Sequence, residues 1–334
     1  MDTELKKLIK KLYGLSIDKS VLIKEGFMGH NRALYCGKEK YFLKRYYFTD
    51  EPKIKEVHRV KKFFSSKGIP VILPMQARNH STYFCFDGRY YALFPFVNGR
   101  KLFSEKLTAK ALRSSGEMLA RIHLISKRRA PFKLADQFSS WNTEQFLKDA
   151  EHIITIIQRK KKKSCFDFAA LEVLKVKMDF ARKNRVAFAG LHLENDHLIH
   201  GDYHAKNLFF DNADNVEWVF DFEKTQIAPR IMEMIRSAII VCFDGRFTKK
   251  NFKKAEEYIG AYTKLYPLKK AEVESGLTAF VVKHMHSVWV EKEHYLKHSR
   301  RVDRFLESTL KERFFMYENF SRFVKLFMGK NNHA

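Results

Sequence analysis

Residues 200–207 read His200-Gly-Asp-Tyr-His-Ala-Lys-Asn207, and fourteen residues after Asn207 comes Asp221-Phe222-Glu223. The spacing HxDxxxxN followed by DFE supplies the groups that phosphoryl transfer to a hydroxyl requires. One carboxylate must orient the acceptor and take its proton. An amide oxygen and a second carboxylate must hold Mg²⁺ against the phosphates of ATP. Residues 198–210 and 216–222 are short and apolar, so a hairpin is expected around the loop that carries Asp202 and Asn207. Asp221 then stands at the end of the second strand.

The chain upstream fits this reading. Residues 40–48 (KYFLKRYYF) are aromatic and short, as a strand should be, and carry Lys44. Before them, residues 26–31 form a turn cluster with Gly26 and Gly29. After them, Ile54, Val57, Val60, Phe63 and Phe64 recur at spacings of three and four, which predicts a helix over 53–66 ended by Lys67-Gly68. Asp87-Gly88 between residues 82–86 and 89–97 predicts a hairpin. In this order Lys44 is placed to meet the α- and β-phosphates and Glu56 to pair with it. Gly26 and Gly29 are placed where backbone passes close to the phosphates.

Asn98-Gly99 closes this part, and the boundary is set there: residues 1–98 as a nucleotide-binding lobe, 99–334 as a catalytic and substrate-binding lobe. Beyond it the pattern is helical over 111–125, 146–157 and 166–180, with three or more helices within 231–326. The expected class is α+β: a bilobal protein-kinase-like fold with a small β-rich N-lobe and a large, mainly helical C-lobe.

On these motifs the chain resembles the aminoglycoside phosphotransferase superfamily, over nearly its whole length. His200-Gly201-Asp202-x-His204-x-x-Asn207 is similar to that family's catalytic loop. Asp221-Phe222-Glu223 is similar to its counterpart of the protein-kinase DFG, and Gly116–His123 (GEMLARIH) to the helix before its substrate region. Residues 258–274 and the aromatic helix after them resemble type II homoserine kinases and their spore-coat relatives. The resemblance implies Asp202 as base, Asn207 and Asp221 as Mg²⁺ ligands, and Lys44, held by Glu56, on the phosphates of ATP. It implies Phe94 and Phe96 in the hinge beside adenine. His200 and His204 would brace the loop, and Glu223 would help with metal or loop geometry. The chain departs from protein kinases in having no full GxGxxG and no APE motif. Residues 227–231 pass quickly through Pro229 into a helix.

The 334 residues hold 63 Lys+Arg against 38 Asp+Glu, a formal net charge of +25. By count along the sequence the excess is +11 in residues 1–100, +9 in 101–200 and +5 in 201–334, so it is no basic tail. Nucleic-acid binding is the reading of another class, supported by the run Arg159–Lys163, but no nucleic-acid module is visible and no specific nucleic acid is expected. A pseudokinase scaffold would need Asp202, Asn207 or Asp221 to be lost. A field of +25 disfavours a polycationic aminoglycoside and favours an amino alcohol, a sugar or an envelope precursor as the hydroxyl acceptor. An atypical Ser/Thr protein kinase is the nearest rival, and weak association with anionic surfaces is expected. Cys36, Cys85, Cys165 and Cys242 form no CxxC pair, the longest apolar run is residues 238–243, and the N-terminus has no apolar leader. A cytoplasmic enzyme without a transmembrane segment is expected.

Overall fold

The computed structural model describes residues 1–23, 30–127, 141–186 and 190–329. In chain order the elements are α1 (Thr3–Tyr13), β1 (Lys19–Ile23), β2 (Asn31–Cys36), β3 (Glu39–Arg45), α2 (Glu51–Ser66), β4 (Phe84–Phe86), β5 (Arg89–Pro95), α3 (Ala109–Ser126), α4 (Thr143–Gln158) and α5 (Cys165–Lys183). Then follow β6 (His197–Ile199), β7 (Leu208–Phe210), β8 (Val216–Val219), β9 (Gln226–Ala228), α6 (Arg230–Ala238), α7 (Lys249–Leu265), α8 (Lys270–Met285), α9 (Trp289–Tyr295), α10 (Phe305–Glu318) and α11 (Phe320–Met328). The α+β expectation is met by a small antiparallel-sheet unit and a mainly helical one. Among the described residues, no helix is long and apolar enough to cross a membrane.

Among the described residues, the first unit comprises 1–23, 30–103 and 200–225. Its sheet is antiparallel with order β1-β2-β3-β5-β4. The two-residue side-chain period gives the sheet two apolar faces. Leu34, Leu43 and Leu93 meet Leu5 and Ile9 of α1, whereas Ala92 and Phe94 cluster with Tyr46 and with Ile54 of α2. The hairpin turn at Asp87-Gly88 has positive φ at both residues (49° and 64°), as the DG signal requires. The β7–β8 hairpin is tied to the earlier segment twice. Arg100 and Phe210 exchange both backbone hydrogen bonds, and Val219 N–H donates to the Pro70 carbonyl at 2.8 Å.

Residues 198–210 do not form one strand. β6 pairs with β9, and only β7 pairs with β8. The break is Gly201, at φ +82°, where a Cβ would run into the Lys224 carbonyl. A left-handed residue pressed against a neighbouring backbone ends the extended run.

The second unit takes in 104–127, 141–199 and 226–329 among the described residues. One of its cores joins α4, α5, α9 and α10 through residues such as Phe146, Ile153, Leu174 and Leu306. Helices α3 and α7 approach so closely at Gly116 that a Cβ there would overlap the Tyr258 carbonyl. Backbone on both sides leaves nothing to move aside. Gly116→Ala is therefore expected to destabilise the protein by about 2 kcal/mol or more, within the range for overpacking a core. Urea unfolding measures it, and an unchanged midpoint would contradict the packing.

Candidate active site

Lys44 lies on β3 opposite Ala92 of β5, on the strand that carries the expected lysine. Its Nζ is 2.9 Å from Asp221 Oδ1 and is also ion-paired to Glu223 Oε1. Burial disfavours the charged amine, but the charges of Glu223 and Asp221 outweigh it and push the Lys44 pKa up. Burial likewise acts to raise Asp221, yet the charge and hydrogen bond of Lys44 hold it below its usual value. Glu223 is the member raised, by burial and by the neighbouring Asp221. The site is thus one cation shared by two close carboxylates of unequal acidity.

The loop before β7 is held by its own side chains. His200 is fully buried; its Nε2 donates to the Phe220 carbonyl at 2.9 Å, and its Nδ1 accepts from Asp202 N–H at 3.2 Å. Its ring lies 4.4 Å from that of Phe222, which in turn lies 5.5 Å from Phe64 of α2. The Asn207 amide nitrogen donates to the Asp202 backbone carbonyl at 2.8 Å, which leaves the amide oxygen for another partner. The Asp202 carboxylate has His204 Nε2 at 3.5 Å from Oδ1 and Lys224 Nζ at 2.9 Å from Oδ2. Asp221 itself sits at φ 69°, ψ 55°. Aspartate is one of the few residues that tolerate the left-handed region, as Asp87 and Asp214 also do here.

The structure thus brings together Lys44, His200, Asp202, His204, Asn207, Asp221 and Glu223 within one unit. It does not bring Glu56 to Lys44. Glu56 pairs with Arg59 at 2.7 Å on its own helix, and its Oε1 is buried without a hydrogen bond. A cation one turn away meets the carboxylate locally. Phe94 is buried in the β3–β5–α2 cluster; Phe96 N–H donates to the Lys40 carbonyl at 3.3 Å, and its ring carries the Lys40 amine at 3.5 Å. Gly26 and Gly29 lie outside the described residues.

Two lysines escaped the sequence reading. Lys61 is 3% exposed, with Nζ 4.4 Å from the Phe94 ring centroid. Burial, reinforced by the like charge of Lys44, pushes its pKa down to about 7. Its signal was present: Val57, Val60, Lys61 and Phe64 share one helix face at i, i+3, i+4 and i+7. Lys224 directly follows DFE.

The phosphotransferase enzyme family (APH) matches residues 25–268. The chain belongs to that family. Solved structures similar to this phosphotransferase include a spectinomycin phosphotransferase in complex with ADP and spectinomycin (17% identity, 98% of this chain and 97% of that one, TM-score 0.62). A microcompartment-associated aminopropanol kinase is similar at 15% identity (97% and 100%, TM-score 0.62). So is an amicoumacin kinase in complex with AMP-PNP, Ca²⁺ and its ligand, at 14% identity (96% and 94%, TM-score 0.62). At these identities the likeness is one of fold. No curated protein sequence matches the chain.

Proposed function

We propose that this phosphotransferase moves the γ-phosphate of ATP to a hydroxyl group of a small molecule. The observation that carries the reading is the buried Lys44 amine, bridged to Asp221, 177 residues on, and to Glu223, in the same unit as the Asp202–Asn207 loop. The residues suit a Mg-nucleotide. The Asn207 amide oxygen and Asp221 carboxylate are hard oxygen donors of the kind Mg²⁺ takes alongside phosphate oxygens. Lys44 is also ion-paired to Glu223 Oε1, so it has a second carboxylate to leave behind when it turns to phosphate. When bound, Mg²⁺ neutralises phosphate charge.

Each residue has a task in this reading. Lys44 draws the α- and β-phosphates to β3. Asn207 and Asp221 fix the metal-bearing phosphates. Asp202 orients the acceptor hydroxyl and accepts its proton on a carboxylate oxygen. His200 keeps Asp202 in place by tying its backbone to the strand end that leads into Asp221. The similar structures bound to ADP and AMP-PNP support an adenine nucleotide donor. The similarity to an aminopropanol kinase supports an amino alcohol among the acceptors, and the net charge of +25 disfavours polycations.

Incubation of the enzyme with Mg²⁺, γ-labelled ATP and a metabolite pool is expected to yield a new phosphorylated small molecule, identified by mass spectrometry. Label found only on protein would overturn the acceptor class. Failure of Mg-ATP to raise the melting temperature would overturn the donor.

A further inference from the structure

Lys44 accounts for one cation on the nucleotide side of the site. On the acceptor side, the geometry points to Lys224 as a further catalytic residue, one that carries the negative charge of the phosphoryl group in flight. This rests on the phosphotransferase reading above and adds a residue to it.

The proposed base creates an electrostatic difficulty. The Asp202 carboxylate must come within hydrogen-bond reach of the acceptor hydroxyl, and that oxygen must stand about 3–3.5 Å from phosphorus. A carboxylate is thus drawn close to a group whose own oxygens are negative in the transition state. The cation that sits there is Lys224, with Nζ 2.9 Å from Asp202 Oδ2. From the carboxylate, the incoming phosphoryl group is one swing of a lysine side chain away.

The rest of the residue suits the task. The backbone origin of Lys224 is fixed, since its carbonyl occupies the space that a Cβ on Gly201 would take, beside the base. Its side chain is 56% exposed, so the amine is free to change partner. An ion pair so exposed contributes little to stability. Two other lysines of the site are otherwise engaged: Lys44 holds Asp221 and Glu223, and Lys61 is buried against Phe94.

In the step, the acceptor oxygen bonds to the γ-phosphorus while the bond from that phosphorus to the bridging oxygen breaks. The electron pair leaves with ADP, and the hydroxyl proton passes to Asp202. Lys224 exchanges no proton. Its amine shifts from the carboxylate toward the phosphoryl oxygens, which releases the carboxylate to take the proton.

The test compares Lys224→Met and Lys224→Arg with wild type. Two probes need no knowledge of the acceptor: Mg-ATP hydrolysis with water as acceptor, and binding of Mg-ADP with and without aluminium fluoride, which mimics the phosphoryl in flight. Lys224→Met is expected to lower kcat about 100-fold, in line with loss of one charge-stabilising donor. KM for ATP and affinity for Mg-ADP should stay within about twofold, while the gain from aluminium fluoride falls by a similar ~100-fold. Lys224→Arg should restore most of both. A merely structural ion pair at this exposure would leave kcat, KM and the gain from aluminium fluoride unchanged. If wild type hydrolyses Mg-ATP and Lys224→Met does so equally well, the role of Lys224 is overturned alone. If wild type neither binds nor hydrolyses Mg-ATP, the phosphotransferase reading falls and this inference with it.

Discussion

Asp202→Ala is expected to lower phosphoryl transfer by roughly 10²–10⁴-fold while leaving Mg-ATP bound. The side chain that is lost touches His204 and Lys224, neither of which this reading assigns to the ground-state nucleotide. The groups proposed to hold the nucleotide are spared. Lys44 bonds Asp221 and Glu223, and Asn207 bonds the backbone carbonyl of residue 202, which survives the substitution. The loop survives too, because His200 accepts from the residue 202 N–H. A positioned base contributes roughly 10²–10⁴-fold to kcat. Loss on that scale is expected in the labelled-ATP assay, with the calorimetric affinity for Mg-ATP changed by no more than about threefold. Transfer by the variant at the wild-type rate would remove Asp202 from the role of base.

What the sequence could and could not disclose follows from how local each interaction is. Helices α3, α4 and α5 were legible because three or four apolar residues per two turns write their buried face directly into the chain. The β4–β5 turn was legible because Asp87-Gly88 suits the positive φ found at both residues. α1 was missed although Leu5, Leu8, Ile9 and Leu12 follow the helical stride and Asp2 caps it with hydrogen bonds to Glu4 N–H and Leu5 N–H. The β6–β9 pairing had no local signal: two strands of three residues, 197–199 and 226–228, pair although 26 residues separate them in sequence. The same divide runs through the site. The order of Lys44, Asp202, Asn207 and Asp221 is a property of spacing. Which carboxylate Lys44 binds without nucleotide is a contest among Glu56, Asp221 and Glu223 that three-dimensional placement decides. Glu56 has Arg59 one turn away, and Lys44 has the two carboxylates flanking Phe222.

That contest leads to the second large effect, on stability. Lys44→Met removes the cation shared by Asp221 and Glu223 and leaves two carboxylates close together. Breaking one side of a buried ion pair costs about 3–5 kcal/mol. The Asp221 side chain is 37% exposed, so water screens part of this and the low end, about 3 kcal/mol at pH 7, is expected. The pH dependence has a definite sign. In the wild type, Asp221 lies below its unfolded value, so its stabilisation is present above that value and fades as acid protonates it. Glu223 lies above its unfolded value, so it opposes folding when ionised and its penalty fades in acid. Without Lys44 both carboxylates move upward, and both become groups whose penalty acid relieves. The gap between variant and wild type should therefore narrow as pH falls from 7 to 5. Lys61 limits the loss. Its pKa is held at about 7 by burial and then by the charge of Lys44. With that charge gone, Lys61 protonates more fully and compensates the carboxylates in part. Lys44→Met with Lys61→Met should then lose more than the sum of the two single changes. Urea unfolding of the four proteins at both pH values measures all of this. A gap that widens in acid, or additive losses, would show that Lys44 is not the cation on which these carboxylates depend.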